Sequence, residues 1–282
     1  QSRNVQILKQ YEEEYFLSRK ILLVLCQVHS IWEERIFHTT LDTSVNQINA
    51  PILWNAGFTG SGVKIAILDT GIDSTHPMLQ GKVVDSVSFT LDAPADNVGH
   101  GTHVTGIAAG KLNGANTYNG VAPDALLMNV RVLDSVGKGK ESEIVQGINY
   151  AVDPDNNPQT DDGADVINLS FGGPYTDVNS LIVAAIEDAI EDGVVVVVAA
   201  GNCGPGCPSS NCQGFVGIET PGDAPNAITV GAVDDFSIHA CFSSGEIINN
   251  EIKPDVVAPG VDIASSYLNN TLVEASGTSM AT

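Results

Sequence analysis

Three side chains in this sequence suit nucleophilic attack on a carbonyl, and each stands in a glycine-containing setting. Ser279 lies in Gly277-Thr278-Ser279-Met280-Ala281, and His100 opens His100-Gly101-Thr102-His103-Val104-Thr105-Gly106. Asp69 ends the apolar run Val63-Lys64-Ile65-Ala66-Ile67-Leu68 and precedes Thr70-Gly71-Ile72-Asp73. A serine hydroxyl is a weak nucleophile until a neighbouring base takes its proton. His100 is the candidate base, and Asp69 would fix its tautomer and stabilise the imidazolium formed during attack. The resulting oxyanion needs donors already in place. Asn202, in Ala199-Ala200-Gly201-Asn202, offers a side-chain amide beside the backbone N–H of Ser279. Each residue also has an ordinary role: Asp69 and Asn202 as turn formers, His100 as a helix start, Ser279 as a helix cap. All four ordinary roles together would require four independent coincidences.

The elements that must hold these groups alternate in type. Val63–Leu68 reads as a short, β-branched, apolar strand, and Leu126–Leu133, Asp165–Leu169, Val194–Ala200 and Ala227–Val233 read as further strands. His100–Gly110, Glu141–Ala151 and Val178–Asp192 read as helices between them. This alternation predicts an α/β fold of three layers, a mainly parallel sheet with helices on both faces. Ligands of such sheets bind beyond the carboxyl ends of the strands. Asp69 and Asn202 both fall there.

The chain has 282 residues, with 12 Lys and Arg against 34 Asp and Glu. Residues 1–38 balance to zero and carry no glycine, so the whole net charge of −22 and all 28 glycines fall in residues 39–282. That acidity argues against nucleic acid as a partner, since phosphate contacts need clustered cations. It suits solubility outside the cell, or a salt-rich setting in which self-repulsion is screened. No apolar run approaches the roughly 20 residues of a membrane span; Ile21–Cys26 has six. Of five cysteines, Cys203, Cys207, Cys212 and Cys241 share one Gly/Pro-rich stretch. Their spacing matches no common zinc signature. Disulfides are expected, hence an oxidising compartment, with three pairings open.

These motifs together resemble the subtilisin family of serine endopeptidases, the subtilases. The order Asp, His, Ser is that of subtilisin, whereas an α/β-hydrolase esterase would need a Gly-x-Ser-x-Gly elbow and a different order. The likeness runs from about Leu41 to Thr282 and includes Gly120-Val121-Ala122-Pro123 and Asn168-Leu169-Ser170-Phe171-Gly172-Gly173. It implies a secreted, monomeric endopeptidase of broad specificity that cuts polypeptides through an acyl-enzyme on Ser279. It further implies an S1 cleft walled by Ser170, Phe171 and Gly172 on one side and Ala199, Ala200 and Gly201 on the other. Gly137, Lys138 and Gly139 would be an edge strand pairing with extended substrate. Residues 1–38 would be the end of an inhibitory propeptide, with Ile31–Arg35 its closing strand and self-cleavage near Phe37–Thr39. Residues 39–282 would be the catalytic domain.

Other features fit that likeness less well. His103 lacks the i, i+4 spacing and glutamate of a zinc pair and is expected to be structural; His29, His38, His76 and His239 show no partner. No cofactor is required. Calcium is an optional structural ion, because Met78 follows His76-Pro77 where a carboxylate commonly stands in the family, leaving Asn113 and carbonyls as donors. Gly245-Glu246 replaces the family's Arg-Gly-Pro. The family's nucleophile helix also continues past the position of Thr282. These residues alone are therefore expected to be inactive, part of an active enzyme; the rival reading is a non-catalytic fragment or pseudoprotease that binds peptides without cutting them.

Overall fold

The computed structural model describes residues 41–111, 119–157, 159, 162–173, 180–248 and 251–282. Two short helices, α1 (Leu41–Gln47) and α2 (Ala50–Asn55), precede the first strand, β1 (Lys64–Asp69). There follow β2 (Val83–Ser88), α3 (His100–Ala109), β3 (Leu126–Arg131), α4 (Glu141–Val152) and β4 (Val166–Leu169). Next come α5 (Leu181–Glu191), β5 (Val195–Ala199), β6 (Ile228–Val233), and the hairpin β7 (Glu246–Ile248) and β8 (Glu251–Lys253). The chain ends with β9 (Val256–Pro259), the hairpin β10 (Ile263–Tyr267) and β11 (Thr271–Ala275), and α6 (Thr278–Ala281).

Seven strands form one sheet in the order β2-β3-β1-β4-β5-β6-β9, and every pair in it is parallel. Successive strand residues point to opposite faces, so β1 feeds two cores at once. Ala66 and Leu68 join Met128, Val130, Ile167 and Val198 against Ile144 and Ile148 of α4 and Val183 and Ile186 of α5. Ile65 and Ile67 join Leu127 against Val104 and Ala109 of α3, with Ile263 and Met280. Each Val, Leu, Ile or Met among them, fully buried, stabilises the fold by about 1.5–3 kcal/mol. The expected three-layer α/β architecture is the one observed.

All five expected strands and all three expected helices are present, with ends shifted by no more than two residues except at α5. That helix starts at Leu181 because the Ser180 hydroxyl caps it, accepting from the Ile182 N–H at 3.2 Å; residues 178 and 179 lie outside the described residues. The propeptide reading of 1–38, Cys26, His29, His38 and Asn113 also lie outside them.

Candidate active site

Parallel pairing puts the carboxyl ends of three neighbouring strands, β1, β4 and β5, along one edge of the sheet. Asp69 is the last residue of β1, Ser170 follows β4, and Gly201-Asn202 lies just beyond β5. α3 presents His100 from its first residue, and α6 presents Ser279.

Asp69 is fully buried, and one carboxylate oxygen accepts the Thr70 N–H at 2.7 Å. Both its oxygens face His100 Nδ1, at 2.8 and 2.9 Å. A carboxylate only accepts, so Nδ1 carries the hydrogen and Nε2 is left as the basic nitrogen. Burial disfavours the imidazolium, but the charge and hydrogen bond of Asp69, helped by the charge of Asp96, outweigh it. The pKa of His100 is raised above its ordinary value. The close approach of α3 to β1 requires Gly101, where a Cβ would lie 2.2 Å from the Gly71 carbonyl oxygen and 3.1 Å from Asp69 Cβ.

Asp96 is a functional neighbour that sequence reading missed. Its carboxylate accepts from the N–H groups of Val98, Gly99 and Thr102 and from the hydroxyls of Thr70 and Thr102, at 2.6–3.0 Å. Gly99, the cap of α3, has no capping side chain, so Asp96 takes the orphan Thr102 N–H of that helix start and the Thr70 hydroxyl takes that of Gly101. The loop carrying Asp96 is in turn pinned by Arg131, which is buried and donates to the carbonyls of Ala93 and Ala95 and to the Asn97 side chain. Arg131 finds these partners 34–38 residues away along the chain, whereas Asp96 draws four of its five donors from Val98, Gly99 and Thr102 just downstream.

The Asn202 amide is oriented by an obligatory donor. Its Oδ1 accepts the Thr278 N–H at 2.9 Å and lies 3.3 Å from the Thr278 hydroxyl, so its Nδ2 is the end left to donate. The Thr278 hydroxyl accepts the Gly201 N–H at 3.1 Å, and the Ser170 hydroxyl donates to the Ser279 carbonyl at 3.0 Å. Ser279 is thereby tied to both walls of the cleft. Among the described residues its hydroxyl makes no hydrogen bond to His100. Such contacts commonly tighten only when substrate is bound.

One cleft is lined by His100, Ser279, Asn202, Gly137, Ser170, Phe171, Gly172, Ala199 and Gly201, all singled out from sequence. Lys138, Gly139 and Ala200 are not among its lining residues, and Asp69 sits behind His100. Residues 137–139 carry no strand; Asp134 closes them into a turn, its N–H donating to the Lys138 carbonyl at 2.8 Å. The floor of the cleft also holds Glu219, which sequence reading did not find. It is 8% exposed, its carboxylate accepts the Asn202 N–H, and burial raises its pKa against the lowering effect of that hydrogen bond.

Two disulfides brace the segment after Asn202: Cys203–Cys212 and Cys207–Cys241, with Cα separations of 5.6 and 5.3 Å. His103 is buried, and its Nε2 meets the Val273 carbonyl at 2.9 Å, a structural role. His76, for which the sequence showed no partner, has two: its Nδ1 accepts the Met78 N–H and its Nε2 lies 3.2 Å from the Thr271 carbonyl. Met78 itself is buried in the apolar cluster with Ile72, Leu79 and Ala109, so its side chain offers no carboxylate oxygen to a calcium ion. Elsewhere Asp153, Asp155 and Asp162 bring carboxylate oxygens within 4.8 Å of one another, on a solvent-facing surface. Among the described residues, no helix is long and apolar enough to cross a membrane.

A buried carboxylate, an imidazole oriented by it, a serine in the same cleft and an aimed amide define a hydrolase-type site at the edge of a parallel sheet. Residues 60–282 match the model of the subtilase family, Peptidase_S8. The chain is 41% identical to subtilisin NAT of Bacillus subtilis subsp. natto over 256 residues, 89% of this chain. It is 42% identical to subtilisin of Bacillus pumilus over 241 residues and 41% to thermitase of Thermoactinomyces vulgaris over 239, each alignment covering 84% of this chain. These matches span 61%, 79% and 76% of the respective relatives. The chain belongs to the subtilase family.

Proposed function

We propose that this protein is a secreted serine endopeptidase with Asp69, His100 and Ser279 as its catalytic residues. In that reading His100 Nε2 takes the hydroxyl proton as Ser279 Oγ bonds to the peptide carbonyl carbon. The carbonyl oxygen becomes the oxyanion and receives the Asn202 Nδ2–H and the Ser279 N–H. Collapse breaks the C–N bond, and the proton on His100 passes to the leaving amine. Water, deprotonated by the same nitrogen, then releases the acyl group from Ser279. The observation that carries this reading is the pair of contacts from Asp69 to His100 Nδ1, which leaves Nε2 basic in the cleft that holds Ser279.

Extended polypeptide is the proposed substrate, held between Ser170–Gly172 and Ala199–Gly201 with Gly137–Gly139 at its side. Residues 1–38 are proposed as the end of an inhibitory propeptide, with self-cleavage near Phe37–Thr39. The two disulfides support export to an oxidising compartment. The protein is proposed to act as a monomer, with neither nucleic acid nor membrane as partner. A fluorophosphonate probe tests the chemistry, since it labels only an activated serine. Labelling and casein hydrolysis by the full-length protein, both abolished by Ser279→Ala, are expected. Peptide binding without labelling would establish a pseudoprotease instead.

A further inference from the structure

Glu219 is placed with unusual constraint for a carboxylate with no ion-pair partner. Its backbone N–H donates to the Ala200 carbonyl at 3.0 Å, and Thr220 pairs in both directions with Gly173. The residue is therefore clamped between the two walls of the cleft. Both walls make room for it with glycine. A Cβ at Gly172 would lie 2.9 Å from Glu219 Cβ, and one at Gly201, whose φ is +101°, would lie 2.3 Å from the carboxylate. Glu219 accepts one N–H, from Asn202, and takes part in no ion pair among the described residues. None of the described lining residues is Lys or Arg.

A buried, ionisable group with a single hydrogen bond is costly unless a charge arrives to pair with it. It lines the cleft that substrate would enter. We propose that Glu219 is the specificity-determining residue of this cleft and selects a lysine or arginine side chain at P1, the residue whose carbonyl is attacked. A P1 ammonium or guanidinium entering between Ser170–Gly172 and Ala199–Gly201 ends on the carboxylate and makes charge-assisted hydrogen bonds. An apolar P1 side chain leaves that carboxylate desolvated and unpaired. This rests on the endopeptidase reading and narrows it, replacing a broad specificity with a cationic one.

The test is a series of peptide p-nitroanilides that differ only in P1, carrying Lys, Arg, Phe or Leu, with the full-length protein and its Glu219→Gln variant. The amide introduced by that change is isosteric with the carboxylate and still accepts the Asn202 N–H, and fluorophosphonate labelling checks that the site is intact. The wild type is expected to favour Lys or Arg over Phe in kcat/KM by about 30-fold or more, as for truncation of a buried charge pair. Glu219→Gln should remove that preference, lowering kcat/KM for the Lys and Arg substrates and raising it for Phe, because no charge is then left desolvated by an apolar side chain. An apolar preference that Glu219→Gln does not alter overturns the proposal while the endopeptidase reading stands. So does a uniform fall in kcat across all P1 residues, which would make Glu219 a positioning residue for Asn202. No hydrolysis of any substrate, with no labelling, removes both readings.

Discussion

At the scale of single residues the decisive question is where His100 is neutral. Its pKa is raised, so kcat/KM should be full above that pKa and fall as pH drops through it. Protonated His100 cannot take the Ser279 proton. The acid limb is therefore expected above the ordinary histidine value of about 6.5. The linkage to folding has the opposite sense. A raised histidine pKa stabilises the fold most below the unfolded value, and that contribution is lost as pH rises through the folded one. Asp69→Asn should move the activity limb downwards and lower kcat by about 10⁴-fold, through the wrong imidazole tautomer; an unmoved limb would mean that another group sets it. Asn202→Ala removes the amide but neither the base nor the nucleophile. It should lower kcat by about 10²–10³-fold with KM nearly unchanged, the loss known for the side-chain donor of a subtilisin oxyanion hole. Steady-state kinetics on one substrate separates the two variants.

At the scale of elements, the start of α3 depends on a loop residue. Asp96→Ala would strand five donors, four of them on the chain between Val98 and Thr102. The expected loss is on the order of 3 kcal/mol, visible as a lower denaturant midpoint together with weaker activity, because His100 opens that helix. An unchanged midpoint would show that water replaces the carboxylate. Legibility in the sequence divides along the same line. β1 and β5 were readable because strands buried in a parallel sheet are nearly continuous apolar runs, and His100 and Ser279 because their glycine-rich neighbours are contiguous. β2, with alternating burial in Val-Val-Asp-Ser-Val-Ser, carries too weak a pattern to separate from a loop. Asp96, Arg131 and Glu219 were hidden for a different reason. Each is polar in sequence yet buried in the fold; Arg131 meets its loop partners 34–38 residues away, Glu219 meets Asn202 17 away, and Asp96 joins the nearby helix start to the Thr70 hydroxyl 26 away. Glu219-Thr220-Pro221-Gly222 reads like any surface turn, and only the fold sets it between Gly172 and Gly201.

At the scale of the whole molecule, charge is the least balanced quantity. There are 34 carboxylate side chains and 12 Lys and Arg, so complete pairing would still leave 22 anions unmatched. Among the described residues only four Lys or Arg side chains contact a carboxylate: Lys111 with Asp124, Arg131 with Asp92, Lys140 with Glu143, and Lys253 with Asp255. Exposed pairs such as Lys111–Asp124 contribute little, so attraction does not offset the repulsion summed over the surface. That repulsion is long-ranged in dilute buffer, where the screening length is about 30 Å at 0.01 M ionic strength, and short-ranged at 1 M, where it is about 3 Å. Relieving 1 kcal/mol of it should raise Tm by about 2–4 °C for a domain of this size. The melting temperature is therefore expected to climb steeply between these two salt concentrations. Sodium chloride should serve as well as potassium chloride, since screening does not distinguish the cations, and sulfate comparisons would be confounded by its effect on apolar burial. A Tm flat in salt would mean that the carboxylates are spaced widely enough not to interact. The acidity would then be a matter of solubility, and adaptation to a saline medium would lose its support.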